Sequence, residues 1–196
     1  FEMTSGEISK NSAKYGGGVC VSGGTFIMNG GSISTNTVSS KGNGVYVVKH
    51  TNSPTFNISG DAYITANDVY LTADQKITIT GNLSTGIVAT ITPQNYEETV
   101  QVLAAGNGIT LSEEQVGKFE VTETDFFTSI ITYEGFLKNT LKGTATLTEE
   151  LYEICSTINV SSADGMYAIS DLSKNEGKDF AGKTIILEDN IELKSD

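Results

Sequence analysis

One motif, written three times in the first 70 residues, limits this chain to a small set of folds. Residues 1–11 read FEMTSGEISKN and residues 26–36 read FIMNGGSISTN. Phe1, Met3, Gly6, Ile8 and Asn11 recur as Phe26, Met28, Gly31, Ile33 and Asn36, each 25 residues later. A second block follows each copy, GGGVCV at 16–21 and GNGVYV at 42–47, so that Val19 and Val21 match Val45 and Val47. A third copy, FNISGDAYITAN with DVYL, fills 56–71, and a drifted fourth, KITITGNLSTGIVATI, fills 76–91.

Each repeat holds three short apolar spots, F-x-M, a lone Ile and V-x-V. The first and last alternate with period two, which places their apolar residues on one face of a strand. Gly, Ser and Asn lie between them, and none is long enough for a helix. One such unit cannot bury its own apolar face, whereas stacked units bury like residues on like. The pattern therefore predicts an all-β fold, a parallel β-helix solenoid with irregular coils of about 25 residues. The expected inward stacks are Phe1/Phe26/Phe56/Ile77, Met3/Met28/Ile58/Ile79, Ile8/Ile33/Ile64/Leu83 and Val19/Val45/Val69. The fourth copy also retains Val88 and Ile91 as apolar positions. Asn11, Asn36 and Asn67 fall where a coil turns, in a left-handed conformation that asparagine tolerates, and their stacked amides can bond from coil to coil. The glycines ahead of V-x-V supply positive φ at another corner.

Residues 93–139 are less regular. Strands are expected around Val100–Ala104, in KFEVTE at 118–123 and in IITYEGFLKN at 130–139, the last with a turn at Glu134-Gly135. This stretch reads as a C-terminal cap over the open core, since an uncapped solenoid exposes apolar surface and unpaired strand edges. Residues 1–139 thus form a first module. Residues 140–150 read as a connector, and 151–196 as the opening coil of a second, truncated β-helix-like module. Within it AISDLSKNEGKDF at 168–180 suits a short helix, with Ile169, Leu172 and Met166 on one face and Gly177 as its stop. KTIILEDNIEL at 183–193 suits one or two strands. The chain begins inside one repeat and ends as another starts, which suggests a piece of something longer.

Composition narrows the function classes. All 12 basic residues are lysines, and the net charge is −12. So acidic a surface repels phosphate backbones, which speaks against nucleic acid as a partner, and it disfavours anionic membranes. No apolar run is long enough to span a bilayer, so direct membrane insertion is not expected. Cys20 and Cys155 are 135 residues apart and read as two free thiols.

The run F-x-M-x-G-G-x-I-S-x-N…G-x-G-V-Y-V, with N-D-V-Y-L and K-I-T-I-T-G-x-L after it, resembles the adhesin-like, pectin-lyase-fold repeat surface proteins of anaerobic bacteria and archaea. The segment at 175–193 is similar to the first coil of another β-helix in that group. The resemblance covers nearly the whole chain, most weakly at 93–139. It implies right-handed coiling, secretion and a place on the cell surface, and it carries over no catalytic residues.

The candidate chemistry is sparse. Gly177–Thr184 fits the P-loop pattern G-x-x-x-x-G-K-[ST] in full, but a true P-loop follows a strand and opens a helix, and here the order is reversed. Lyases and glycosidases of this fold need clustered acids and a base, and Asp61, Asp68 and Asp74 are the acids of the early coils that could converge. The opposing reading makes them solvated turn residues. His50, the single histidine, sits in the loop-like KHTNSP. One histidine and two distant cysteines make no zinc set. The acidic pairs Glu97-Glu98, Glu113-Glu114 and Glu149-Glu150 lack the spacing of a calcium loop, so no cofactor is expected and calcium there would be adventitious. Tyr46 and Tyr70 occupy the outward position of V-x-V, in a column that begins with Cys20. They are the candidate ligand contacts, as an exposed ladder against sugar rings, or else cross-strand packing on a flat sheet.

The first functional reading is a non-catalytic extracellular surface module, adhesive or a structural stalk, whose partners are host or microbial surface glycans or proteins. The alternative is a carbohydrate-active or carbohydrate-binding β-helix of the polysaccharide lyase or hydrolase kind. A spacer with no ligand is the third.

Overall fold

The structure is a computed structural model that describes residues 1–84, 86–143 and 145–192. It consists mostly of short strands in parallel sheets, with few helices. The chain divides into two compact units. The first comprises Phe1–Asn95, Thr99–Thr122 and Ile131–Leu137, and the second Tyr96–Glu98, Glu123–Ile130 and Lys138–Asp196.

In the first unit the strands Glu2–Met3, Thr25–Met28, Thr55–Gly60, Ile77–Leu83 and Leu103–Ala105 form one sheet. All its pairings are parallel and bring Met3, Met28, Ile58, Ile79 and Ala105 into one row, at steps of 25, 30, 21 and 26 residues. The neighbouring row runs from Phe1 through Phe26, Phe56 and Ile77 to Leu103. The rings of Phe1, Phe26 and Phe56 stack with centroids 5.3 and 5.0 Å apart. Phe1, at the end of the row, stays 70% exposed, whereas Phe56 is fully buried. Burying one such side chain contributes about 1.5–3 kcal/mol, so repetition itself stabilises the stack.

A second sheet joins Glu7–Ser9, Ser32–Ser34 and Tyr63–Thr65, with Ile8, Ile33 and Ile64 in register. Leu83 does not extend this stack as expected. The strand of Ile77 runs on through a register shift, and Leu83 pairs with Gly60 in the first sheet. Val88 takes the next place instead, its carbonyl accepting the Ile64 N–H at 2.7 Å. The third sheet joins Val19–Val21, Val45–Val47, Asp68–Leu71, Ala89–Pro93 and Phe119–Val121. Val19, Val45, Val69, Ile91 and Val121 form its inner row. Ile91 is therefore the fourth member of the valine column.

At the turn after the second sheet, the asparagines form a ladder. The Asn11 amide donates to Asn36 Oδ1 at 3.0 Å, and the Asn36 amide donates to Asn67 Oδ1 at 3.2 Å. Each of these oxygens also accepts the backbone N–H of the preceding rung's asparagine, at 3.0 and 2.9 Å. Asn36 and Asn67 are buried, and this mutual bonding is what makes their burial tolerable. The left-handed residue, however, is not the asparagine. It is the residue before it, Lys10, Thr35 and Ala66, at φ of 57, 52 and 52°. The turn tilts the following side chain into the interior, where its amide has work to do, and the backbone strain falls on a neighbour chosen for no such purpose. Gly16 and Gly42 do supply positive φ ahead of V-x-V. Gly44 has a different reason: a Cβ there would lie 2.9 Å from Ile64 Cγ2 and 3.0 Å from Asn67 Cβ.

Residues 93–122, expected to belong to the cap, instead add a fifth level to the first and third sheets. The short helix α1 (Glu113–Val116) joins those strands, with the Ser112 hydroxyl as its cap. Closure falls to 131–137. Gly135 offers its carbonyl to the N–H groups of Val102 and Leu103 at 2.8 and 3.1 Å, and Gln101 pairs with Phe136 in an antiparallel bridge that ends the parallel series.

The second unit carries a sheet of Phe127–Ile131, Leu137–Leu141, Thr157–Val160 and Thr184–Leu187. Its last three strands are parallel, with Leu141, Ile158 and Ile185 in one row. Two helices close its core, α2 (Glu149–Ile154) and α3 (Ala163–Lys174). They contribute Leu151, Tyr152 and Leu172 against Phe127, Leu141, Cys155, Ile158 and Val160. The stretch 140–150 is thus less of a connector than expected: it finishes one strand and begins α2. Residue 144 and residues 193–196, including the end of KTIILEDNIEL, lie outside the described residues. The helix expected at 168–180 begins five residues earlier, because Ser162 caps it by accepting the Gly165 N–H. Met166, Ile169 and Leu172 do face the core.

Candidate functional site

On the outward side of the third sheet, register places Cys20, Tyr46, Tyr70 and Thr92 in one column. Thr92 continues it through a 2.6 Å hydroxyl contact with Thr122. Alternation dictates this: the valines on either side of Cys20 and Tyr46 face inward, so the middle residue faces out. Tyr15, from the strand Ser12–Tyr15, joins the column from the side. Its ring stacks on Tyr46 at 5.1 Å, and Tyr46 stacks on Tyr70 at 5.7 Å.

Of the two readings of this column, exposed ladder or cross-strand packing, the burial fits packing. Tyr70 is only 6% exposed, and Tyr46 is partly covered. The ring faces are occupied by one another, so a sugar ring cannot lie flat on them. What remains accessible is Tyr15, 39% exposed, and two lysines. Lys41 Nζ donates to the Tyr70 hydroxyl at 2.7 Å and lies 4.6 Å from that ring's centroid. Lys14 Nζ lies 5.3 Å from the Tyr15 centroid. The strand Thr37–Lys41 pairs with Ser12–Tyr15 in parallel and sets Lys41 opposite Tyr15.

The electrostatics follow. The hydrogen bond to Tyr70 raises the Lys41 ammonium above its usual range, so it stays charged. Burial pushes the Tyr46 phenol up, with Tyr15 and Tyr70 adding to the effect, so it keeps its proton as a donor. Burial also raises the Cys20 thiol, which holds the neutral form of a free, exposed cysteine.

Sequence reasoning named Tyr46 and Tyr70 but missed Tyr15, Lys14 and Lys41. A signal was present in charge placement. Residues 1–60 carry Lys10, Lys14, Lys41 and Lys49 against Glu2 and Glu7, a local excess of positive charge in a chain of net charge −12. Glu2 is hydrogen-bonded to Asn29 and Glu7 to Ser34, in the first and second sheets.

The other candidates are occupied elsewhere. The Asp61 carboxylate accepts the Ser84 hydroxyl, Asp68 Oδ1 accepts the Asn43 N–H at 2.7 Å, and Asp74 takes a turn conformation at φ 64°. His50 is exposed in the segment that lengthens the second repeat. Among the described residues, no three His, Cys, Asp or Glu side chains gather as a metal set. In the P-loop-like segment, Lys183 Nζ donates to the carbonyls of Tyr152 and Cys155 at 2.6 and 2.9 Å, capping the end of α2. Lys178 lies between Glu149 and Glu153, 2.7 Å from each. The motif follows α3 and precedes the strand Thr184–Leu187, so its lysines serve the fold and no helix N-terminus faces a phosphate.

Both cysteines are free, Cys155 in the core of the second unit and Cys20 at the head of the outward column. In comparisons with known proteins, no family model, no curated protein and no solved structure matches this chain.

Proposed function

We propose that residues 1–122 form a parallel β-helix and that the chain acts as a non-catalytic, adhesive or load-bearing module of an extracellular surface protein. The observation that carries this reading is the five-level parallel stack whose apolar rows and asparagine ladder are internal to the repeats. Such a body devotes its interior to its own rigidity and leaves one side of each strand for contact. The polar side chains tested above as catalytic candidates hold turns and helix ends, which supports a surface that binds over one that turns over substrate. Its partners on this reading are surface glycans or proteins, with no cofactor required.

The test is retention of beads coated with the purified chain on immobilised polysaccharides and extracellular proteins, with the polysaccharides recovered and sized afterwards. Retention with unchanged polysaccharide length is expected. Shortened chains or released oligosaccharide would overturn the reading in favour of a carbohydrate-active domain.

A further inference from the structure

We infer that the face built from Lys14, Tyr15, Lys41, Tyr46 and Tyr70 binds an acidic glycan, one carrying carboxylate or sulfate groups along its length. The inference rests on the adhesive reading above and names the ligand class and the site. Tyr15 and the partly covered Tyr46 present ring edges, which carry the positive part of the ring quadrupole, while the buried Tyr70 anchors Lys41 through its hydroxyl. Lys41 and Lys14 add two ammonium groups at this stack, at 4.6 and 5.3 Å from ring centroids. An ammonium held against a ring loses conformational freedom before any ligand arrives, which reduces the entropy lost on binding.

The surroundings suit a sugar. Ser12, Thr37, Ser39 and Ser40 are exposed on the paired strands that bear Lys14 and Lys41, and they offer hydroxyl partners to a polyhydroxylated chain. Residues 8–60 contain no acid, and Asp68, on the strand of Tyr70, has its carboxylate engaged by the Asn43 N–H. Nucleic acid is the less favoured polyanion, because a DNA strand lacks the row of ring hydroxyls that Ser12, Thr37, Ser39 and Ser40 would meet on a sugar chain. A neutral glycan would leave the two ammonium groups unused.

The experiment titrates the whole purified chain with labelled heparin oligosaccharide, oligogalacturonate, a neutral dextran oligomer and a single-stranded oligonucleotide, at low and at high salt. Binding of one or both acidic oligosaccharides at low salt, weakened at high salt, is expected. Lys14→Gln and Lys41→Gln should each weaken it about three- to tenfold, and Tyr15→Ala should weaken it as well. Lys118→Gln, distant in sequence and paired with Glu114, serves as the control and should change nothing. Equal binding of dextran, preference for the oligonucleotide, absence of acidic-glycan binding, or indifference to both lysine variants would each overturn the inference. Beads that still adhere to a neutral glycan or a protein after Lys14→Gln and Lys41→Gln would overturn it while leaving the adhesive reading standing.

Discussion

Two buried asparagines show how the two units solve the same problem differently. Asn36, in the first unit, is one rung in a column of identical neighbours, giving to Asn67 and receiving from Asn11. Asn139, in the second unit, is a hub among unlike partners. Its amide donates to the carbonyls of Tyr96 and Ile154 at 2.6 and 2.7 Å, its oxygen accepts the Ser129 hydroxyl at 2.6 Å, and its backbone N–H reaches Glu98 at 2.6 Å. The ladder is built by copying one residue. The hub needs three separate segments, those of Tyr96, Ser129 and Ile154, to converge on one side chain. Repetition gives satisfaction of polar groups cheaply where the chain repeats, and specific convergence replaces it where the chain does not.

The largest expected effect tests the apolar side of this contrast. Phe56→Ala removes a fully buried ring stacked on Phe26 and should cost about 3–5 kcal/mol in urea unfolding of the first unit. A cost under about 1 kcal/mol would mean that the phenylalanine row is loosely packed. Asn139→Ala should follow at about 3 kcal/mol, because two part-buried carbonyls and a hydroxyl lose their partner together. Asn36→Ala should cost less, about 2 kcal/mol, since Asn67 keeps its bonds to the carbonyls of residues 36 and 66, and the N–H groups freed on Asn11 are exposed to water. Equal losses for the two asparagines, measured by circular dichroism in urea, would erase the distinction between ladder and hub.

Smaller effects sharpen it. Thr35 is a β-branched residue at φ 52°, and Thr35→Gly should stabilise the first unit by about 0.5–1 kcal/mol. Destabilisation would mean that the threonine side chain compensates its own strain. The two thiols differ as their surroundings do. Burial, reinforced by Glu98 and opposed by Lys183, pushes the Cys155 thiol up to about 11. An unfolded thiol ionises near 9.0, so the folded state is the one that keeps the proton. The Cys155 contribution is therefore intact below pH 9 and is lost as the pH rises from about 9 to about 11. Cys155→Ala should flatten the stability profile in that window. Iodoacetamide on the native protein should modify Cys20 and spare Cys155, with both reacting in urea.

The repeats made the first unit readable to the level of individual rows, because a residue that returns at a fixed offset must meet its copy. The phenylalanine, methionine and valine rows and the asparagine ladder were all accessible in this way. Reading failed where copying drifted. Leu83 follows Ile79 more closely than the matching isoleucines follow Met3, Met28 and Ile58, and a register shift carries it into another sheet. The left-handed position was assigned to asparagine by its intrinsic tolerance, whereas Thr35 and Ala66 hold it because the ladder fixes the residue after them. Helix α2 and the strand Thr157–Val160 went unseen since 137–160 repeats nothing and its apolar spots are too short to show a period. At the candidate site, alternation gave Tyr46 and Tyr70 their outward direction, but only the folded arrangement brings Tyr15, Lys14 and Lys41 beside them and shows Tyr70 to be covered.

The asparagine ladder also has a sense. The bonds between side-chain amides run one way, from Asn11 to Asn36 and from Asn36 to Asn67, while Asn36 and Asn67 also donate back to the carbonyls of Ile8 and Asn36. In a chain of hydrogen bonds each link polarises the next, and the whole exceeds the sum of isolated pairs. A tandem duplication of one asparagine-bearing repeat would thus strengthen the bonds already present, while a deletion would weaken those that remain. On this argument the effect of adding or removing a whole repeat extends beyond the rung that is added or removed.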